Sequence, residues 1–365
     1  MKTVVLLGAG KIGRMVAYFL GPRGDGDYVL RIGDSSADAL AAIRDLAGQH
    51  VKHTVVLDFT DVAALDELMA GADAVISCAP FHCNPIIAER ASKNGLHYLD
   101  LTEDIKVTDQ VAAIAARPDN KTAFVPQCGL APGFITIVAR HLLEPMTNVR
   151  DLRLRVGALP RFPDNMLKYN LTWSTAGLIN EYCQPCEVVM DHESRSVQPL
   201  ENLEEIVIDG VRYEAFNTSG GLGSLGDSLK GSVRNVNYKS LRYPGHAHLI
   251  RFLIRDLGMG DRQEMLAEIF EKSLPTTFKD QIVIFVSAIG DFRGKLTENV
   301  YAKTIYHQEI DGTNWSGIQI TTAAGVCTVL DLLFAGKTPT RGFVRMEDIH
   351  FEDFIANRYG RYYDQ

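Results

Sequence analysis

Three glycines near the start of the chain have the spacing of a phosphate-binding turn. Gly8, Gly10 and Gly13 form the pattern G-x-G-x-x-G, directly after the apolar run 4–7 and before apolar residues at helical spacing. In such a turn the first glycine allows a tight bend, the second lets a pyrophosphate approach the backbone, and the third lets the helix pack on the strand. The helix N-terminus offers free N–H groups and a positive dipole end to phosphate.

An acidic residue ends the next predicted strand, Tyr28–Asp34. A dinucleotide-binding unit places there the group that binds the adenosine ribose. The Asp34 carboxylate would accept hydrogen bonds from the ribose hydroxyls and would repel the 2′-phosphate of NADP. Ser35 and Ser36 follow where an NADP-binding protein would place an arginine, so NAD is the predicted cofactor. The alternative is a structural glycine turn with a surface aspartate.

The first 128 residues alternate between predicted strands and predicted helices. This order is typical of a doubly wound parallel sheet, a Rossmann-type α/β fold with helices on both faces. Ligands bind such sheets at the carboxyl ends of the strands, so residues that follow the strands should contact the cofactor. Besides the three glycines and Asp34, the predicted cofactor-binding residues are Lys11, Ile12, Asp58, Phe59, Ala79, Pro80, Leu101 and Thr102.

After Cys128 the pattern changes to longer strands and less regular helices. A Gly/Pro break occupies 129–133, and a glycine between alternating apolar residues in 204–216 predicts a β-hairpin. The region from about 130 to about 315 is therefore predicted to be one α+β domain. The apolar segment Ile320–Ala335 is predicted to be a helix that packs back on the first sheet.

Composition excludes several classes of protein. The 365 residues are 46% hydrophobic and 22% charged, which is typical of a globular protein large enough for two domains. The net charge of −8 and the absence of a basic block argue against a nucleic-acid partner. Lys11 and Arg14 interrupt the apolar run that would imitate a signal peptide, and no run of about 18 apolar residues is evident. A cytoplasmic protein without a membrane partner is expected.

The six cysteines do not indicate a disulfide framework. Cys183 and Cys186 have C-x-x-C spacing, but the residues that follow offer only His192 where a zinc site needs a second ligand pair. We therefore predict no metal site.

Four segments resemble the saccharopine dehydrogenase-like family, and within it most closely the lysine 6-dehydrogenases. They are LLGAGKIG, QCGLAPGF, GALPRFPDNMLKYNLTWSTAGLINEY and LRYPGH, in the expected order. The resemblance implies a dinucleotide-binding domain, 1–128 with a returning segment 318–365, and an inserted substrate and oligomerisation domain, 129–317. It also implies homo-oligomers and NAD-dependent oxidative deamination of an amino acid's side-chain amine, with hydride transfer to the nicotinamide.

That chemistry assigns roles to particular side chains. An ammonium group must lose a proton before hydride can leave, and a substrate carboxylate is best held by the fork of an arginine. Arg242 is the predicted carboxylate ligand, and Tyr169 or Thr172 is its neutral hydrogen-bond partner. Lys168 and His246 are alternative proton-transfer groups between which the sequence does not choose, and Asp100 could bind the substrate amine. The predicted catalytic residues are Lys168, His246 and Asp100, and the predicted substrate-binding residues are Tyr169, Thr172, Trp173 and Arg242.

Two other functions stay open at this point. A saccharopine reductase-like or carboxyspermidine-type enzyme would act on a longer substrate with more carboxylates and would use Arg161 beside Arg242. A non-catalytic NAD(H)-binding sensor would not need the ionisable and aromatic residues in the loops of the second domain.

Overall fold

The computed structural model describes residues 1–364, and the contacts divide the chain into two compact units. Unit 1 consists of Met1–Phe134 together with the part of the chain that starts at Gln319, and unit 2 is Ile135–Ile318. The sequence analysis placed the first division at residue 128.

The strands and helices follow in chain order. The strands are β1 (Lys2–Leu7), β2 (Tyr28–Asp34), β3 (Val51–Val56), β4 (Ala74–Ser77), β5 (His97–Asp100), β6 (Ala123–Val125), β7 (Thr147–Pro160), β8 (Cys186–Met190), β9 (Glu193–Val197), β10 (Glu204–Ile208), β11 (Val211–Asn217), β12 (Asn235–Arg242), β13 (Asp280–Phe292), β14 (Lys295–Tyr306), β15 (Gln308–Ile310), β16 (Thr313–Trp315) and β17 (Gly342–Phe343). The helices are α1 (Lys11–Leu20), α2 (Ala37–Ala47), α3 (Val62–Met69), α4 (Asn84–Asn94), α5 (Ile105–Ala115), α6 (Phe134–Leu143), α7 (Thr175–Cys183), α8 (Leu225–Leu229), α9 (His246–Arg251), α10 (Gln263–Ser273), α11 (Gly317–Phe334) and α12 (Phe351–Ala356).

Unit 1 contains a parallel sheet in the order β3-β2-β1-β4-β5-β6-β17. Each neighbouring pair is parallel, including β17 on β6, which the returning C-terminal part of the chain supplies. The four residues Val4–Leu7 of β1 are fully buried, as expected of a strand covered on both faces. The predicted doubly wound fold is confirmed, and the order of strands reverses between β1 and β4.

Helix α11 belongs to unit 1 from Gln319 onward. A side chain at Gly325 would lie 2.5 Å from the carbonyl oxygen of Cys128, so only glycine lets the helix approach the 128–129 backbone this closely. By length and composition alone, α11 is also the one helix in the described residues that could span a membrane, with a mean hydropathy of 1.5. The sequence analysis missed this candidate, but 83% of the segment is buried, which is also typical of a core helix.

Unit 2 is built on a mixed sheet in the order β10-β11-β12-β7-β13-β14, with β8 pairing to both β12 and β9. Strands β12 and β7 are parallel, and the other pairs along this order are antiparallel. The hairpin predicted in 204–216 is confirmed as β10 and β11. Helices α7, α9 and α10 contribute to one apolar cluster with the buried Phe216 of β11.

The sequence predicts strands over 53–60 and 72–80, and both strands end earlier in the structure. Strand β3 ends at Val56 and β4 ends at Ser77, so the residues that follow them form loops at the carboxyl edge of the sheet. Helix α5 was missed, although Asp104 caps it by accepting a hydrogen bond from the Val107 N–H at 2.9 Å.

Candidate functional site

The glycine turn that follows β1 is crowded at two of its glycines and open at the third. Gly8 has φ +102°, and a side chain there would lie 2.6 Å from the Cys78 carbonyl oxygen. A side chain at Gly13 would lie 1.9 Å from the Gly8 carbonyl oxygen, whereas one at Gly10 would meet nothing within 4 Å. The space beside Gly10 is what a pyrophosphate at the α1 N-terminus requires, so these residues fit a dinucleotide.

Asp34 fixes the backbone around this turn. One oxygen accepts a hydrogen bond from the Ala9 N–H at 2.6 Å, and the other accepts from the Ser36 N–H at 2.8 Å. Ser36 in turn caps α2 by accepting from the Ala39 N–H. A negative charge is therefore held next to the glycine turn at the end of β2, as the sequence analysis predicted.

The other predicted cofactor residues divide by burial. Lys11 is exposed, and its carbonyl oxygen accepts a hydrogen bond from Gln319 Nε2 at 2.9 Å; Ile12 is half-buried. Beyond β3, Asp58 is exposed, with Oδ1 accepting hydrogen bonds from Thr60. Phe59 is buried in the core of unit 1, so its side chain packs rather than faces solvent.

Two loops at the carboxyl edge of the sheet follow β4 and β5. The backbone of Cys78 and Ala79 lies against Gly8, so the loop after β4 borders the glycine turn. Ala79 is half-buried and Pro80 is exposed. In the loop after β5, Leu101 is half-buried and Thr102 is buried.

Asp100 holds the second of these loops in place. It is fully buried, and its carboxylate accepts hydrogen bonds from the Tyr98 hydroxyl at 2.7 Å, the Thr102 N–H at 2.9 Å and the Gln127 N–H at 3.0 Å. Burial raises the pKa of this carboxyl, although the three donors oppose that shift. To bind the substrate amine as predicted, Asp100 would have to give up one of these bonds.

In unit 2, the buried Arg242 at the end of β12 lies near two aromatic rings. Its Cζ is 5.2 Å from the ring centroid of Tyr169 and 5.8 Å from that of Tyr182. Nε donates to the Tyr182 hydroxyl at 3.0 Å, and Nη2 lies 3.9 Å from a carboxylate oxygen of Glu181. We call Arg242, Tyr169, Tyr182, Glu181 and His246 the Arg242 cluster.

Hydrogen bonds in this cluster have a defined direction. The Nδ1 of His246 is 2.9 Å from the Leu167 carbonyl oxygen, which only accepts, so Nδ1 carries the proton. Nε2 is then the acceptor for the Tyr182 hydroxyl at 3.0 Å. Burial and the Arg242 charge lower the pKa of His246 to about 3, so this imidazole is neutral at physiological pH. Both ring nitrogens are engaged, and proton transfer by His246 would require one of these bonds to break.

The remaining predicted residues of unit 2 lie around the cluster. Lys168, one of the two alternative proton-transfer groups, is exposed, and its Nζ donates to the Pro244 carbonyl oxygen at 3.0 Å. Trp173 Nε1 donates to the Tyr169 hydroxyl at 3.0 Å, and Thr172 is buried. Arg161 lies outside this network, with its Cζ 4.8 Å from the ring centroid of Tyr306.

Sequence reasoning missed Glu214 and gave no specific role to Glu181 and Tyr182, all of which hold Arg242 or its surroundings in place. Glu214 accepts hydrogen bonds from the Gly245 and Ala247 N–H groups, which fixes the Pro-Gly turn at the start of α9. Glu181 and Tyr182 lie side by side in α7 and contact Arg242. Both residues lie in the segment LINEY, which the sequence analysis quoted. Their contacts with Arg242, which is 60 positions from Tyr182, could not be predicted from that segment.

No metal site is found in the described part of the chain. Among residues 1–364, no group of three or more His, Cys, Asp or Glu side chains could hold a metal ion. Cys183 ends α7, Cys186 begins β8, and both thiols are free.

Comparisons with known proteins show the family. The model of the saccharopine dehydrogenase NADP binding domain matches residues 4–125, and that of the saccharopine dehydrogenase C-terminal domain matches residues 129–359. The chain belongs to the saccharopine dehydrogenase family. The sequence resemblance is therefore confirmed at the level of this family.

Curated members of the saccharopine dehydrogenase family are distant in sequence. Saccharopine dehydrogenase [NADP(+), L-glutamate-forming] of Saccharomyces cerevisiae is 22% identical over 341 residues, covering 87% of this chain and 72% of the relative. The mitochondrial alpha-aminoadipic semialdehyde synthase of Mus musculus is 21% identical over 349 residues, covering 87% of this chain and 35% of the relative. The chain thus spans only about a third of the mouse protein.

Solved structures show the same fold. The apo saccharopine dehydrogenase (L-Glu forming) of Saccharomyces cerevisiae has a TM-score of 0.78 at 15% identity, covering 95% of this chain and 94% of that chain. The homospermidine synthase of Legionella pneumophila, in complex with NAD, has a TM-score of 0.71 at 14% identity, covering 99% of this chain and 89% of that chain.

Proposed function

We propose that this protein is an NAD-dependent oxidoreductase that acts on the C–N bond of an amino-acid substrate. The observation that carries the proposal is the family match across the chain, 4–125 and 129–359, because it includes the C-terminal domain and not a dinucleotide fold alone. The directed polar network around Arg242 favours an enzyme over a sensor that binds NAD(H) without turnover.

In this proposal, unit 1 binds the dinucleotide. The glycine turn and the α1 N-terminus would hold the pyrophosphate, and Asp34 would accept hydrogen bonds from the adenosine ribose. When bound, the nicotinamide supplies the acceptor for a hydride from the substrate carbon.

The preference for NAD over NADP rests on Asp34. Its carboxylate is tethered to Ala9 and Ser36, so it cannot easily turn away from a 2′-phosphate. The family model and the yeast relative carry NADP in their names, whereas the Legionella homospermidine synthase was solved with NAD. The family therefore leaves both cofactors open, and the local charge is the reason for proposing NAD.

Unit 2 would supply the ligand for a substrate carboxylate. Arg242 is buried and always charged, and its guanidinium is held by Tyr182 near Glu181. Glu181 lies close enough to offset part of the Arg242 charge. The finer proposal, from the sequence resemblance, is oxidative deamination of the lysine side chain, as in the lysine 6-dehydrogenases.

A saccharopine-type substrate is the second candidate, because curated relatives are saccharopine dehydrogenases. Such a substrate has further carboxylates and would need another cation. Arg161 is exposed near Tyr306 and is the residue proposed for that role.

A substrate panel tests these proposals. The purified protein is incubated with L-lysine, other diamino acids, saccharopine and polyamine-type opines, each with NAD⁺ or NADP⁺, and reduced nicotinamide is followed by absorbance. We expect turnover of lysine with NAD⁺ and slower turnover with NADP⁺. Turnover of saccharopine alone would select the second candidate, and tight NADH binding without turnover of any amine or opine would favour the sensor.

A further inference from the structure

Glu103 lies in the turn between β5 and α5, and this turn is rigid. Thr102 donates its N–H to Asp100, and the Asp104 N–H donates to Thr102 Oγ1 at 3.1 Å. Asp104 then caps α5 through the Val107 N–H. The backbone on either side of Glu103 is therefore fixed by hydrogen bonds.

The turn lies on the side of the sheet where the nicotinamide half of a dinucleotide belongs. Asp34 at the end of β2 marks the adenosine side, and the glycine turn after β1 marks the pyrophosphate. The dinucleotide must therefore continue over β4 and then β5, whose ends are paired in register at Ser77 and Asp100. Glu103 is three residues beyond that pair at the same carboxyl edge.

The carboxylate of Glu103 is suited to exchanging a proton. It is half-buried, and within residues 1–364 it has no hydrogen-bond or ion-pair partner on another residue. Burial, together with the nearby carboxylates of Asp104 and Asp100, raises the pKa of Glu103 to about 7. No cation contributes to this shift, so an arriving ammonium would meet an uncompensated acidic group.

We propose that Glu103 is the catalytic residue that takes the proton from the substrate ammonium. An N–H bond of the ammonium breaks, its electron pair stays on nitrogen, and the proton forms an O–H bond with the Glu103 carboxylate. The nitrogen lone pair is what the departure of hydride from the adjacent carbon requires. This inference rests on the proposed function and adds a residue that the sequence analysis did not select.

The three earlier candidates are less well placed for this step. Asp100 is buried under three hydrogen bonds, His246 has both ring nitrogens engaged, and Lys168 is an exposed cation bonded to a carbonyl. Glu103 follows β5 at the carboxyl edge, is half-buried, and has no hydrogen-bond or ion-pair partner on another described residue.

The test compares Glu103→Gln with Asp104→Asn. Glu103→Gln keeps the shape but cannot take a proton, and we expect kcat/KM to fall by roughly 10²- to 10⁴-fold and to lose its rise through about pH 7. Asp104→Asn keeps an N-cap acceptor and removes one repelling charge, so it should remain active with its pH profile moved to lower pH. NADH affinity, measured by fluorescence, should be unchanged in both variants.

A measurement without turnover accompanies the kinetics. Carbon-13 NMR of labelled glutamate carboxyls in the free protein should show one group titrating near pH 7 that is missing in Glu103→Gln. An active wild type together with a Glu103→Gln variant of unchanged kcat/KM or unchanged pH profile would overturn the role of Glu103 alone. Weakened NADH binding in Glu103→Gln would assign the residue to the cofactor instead. Inactivity of the wild type on the whole panel would overturn the proposed function itself.

Discussion

At the scale of single residues, the two glycines Gly10 and Gly13 differ in what surrounds them although they belong to one motif. A side chain at Gly13 would collide with backbone, and a side chain at Gly10 would enter open space. The fold therefore requires glycine at position 13, whereas at position 10 only a bound ligand would require it.

This contrast gives a paired prediction. Gly10→Val should remain folded and should lose NADH binding by about tenfold or more, since the side chain occupies the space of the pyrophosphate. Gly13→Ala should instead lower the melting temperature, because a backbone atom 1.9 Å away cannot remain in place. Fluorescence titration and calorimetry distinguish the two. Unchanged NADH affinity in a folded Gly10→Val protein would show that the turn is only structural.

Arg242 carries the second prediction at this scale. Arg242→Lys keeps the charge but loses the planar fork, so kcat/KM for the substrate should fall roughly 10- to 150-fold, equivalent to about 1.5–3 kcal/mol. The control is Tyr182→Phe, which removes the hydroxyl that accepts from Nε and leaves the fork intact. It should have the smaller effect on kcat/KM. If Arg242→Lys lowers the melting temperature and leaves kcat/KM unchanged, Arg242 has a structural role with Glu181.

At the scale of helices and strands, the sequence predicted the existence of elements with a clear local pattern better than it predicted where they end. The β-branched run of β1, the strand Tyr28–Asp34 and the 204–216 hairpin were visible because each pattern is local. Helix α5 was missed because no strong break separates it from the loop that precedes it. The Asp100–Gln127 bond and the Tyr182–His246 bond join residues distant in sequence, and residue types alone do not encode such pairings.

The N-terminus of α11 is capped by Asp280 of β13, a contact that the sequence analysis did not predict. The fully buried Asp280 accepts hydrogen bonds from the Gly317 N–H and, at 3.1 Å, from the Ile318 N–H. Asp280→Ala should weaken the first turn of α11 by about 0.5–2 kcal/mol, the usual effect of losing an N-cap. Amide hydrogen exchange of the first turn reports this directly.

Asp280 also makes the stability of the fold depend on pH, with a definite sign. Burial raises the pKa of Asp280 from 3.8 to about 6, so between these values the folded protein holds a proton that the unfolded chain has released. The contribution of Asp280 to the free energy of unfolding should therefore fall as the pH rises from 4 to 6. Denaturant titrations of the wild type and of Asp280→Asn over this range measure it, because the variant lacks the titrating group. A wild type whose stability relative to Asp280→Asn rises over that range would contradict the assignment.

At the scale of the whole molecule, unit 1 is made from two separate stretches of the chain, one before and one after unit 2. The C-terminal residues Tyr359 and Tyr363 donate hydrogen bonds to the carbonyl oxygens of Phe19 and Thr321. The Tyr363 ring also stacks on Phe134 with centroids 3.9 Å apart. The dinucleotide-binding unit therefore depends on residues more than two hundred positions away in sequence.

Removing one of these rings tests that dependence. Tyr363→Ala should destabilise unit 1 by about 3–5 kcal/mol, the usual effect of truncating a buried aromatic side chain, whereas Tyr363→Phe should lose only about 1 kcal/mol with its hydrogen bond. The unit 1 transition in calorimetry is identified as the one that NADH shifts upward. An unchanged transition in Tyr363→Ala would show that the C-terminal segment is not needed for this unit.

The interrupted order of unit 1 also bears on how the protein is made. During synthesis the strands from β1 to β6 leave the ribosome before unit 2, whereas α11 and β17, which complete the surroundings of those strands, follow unit 2. Unit 2 is one continuous stretch, Ile135–Ile318, and has all its residues before then. Unit 2 can therefore fold before the residues that bury the apolar strands of unit 1 have been made. In that interval the nascent chain exposes apolar surface and is most prone to aggregation and to chaperone binding.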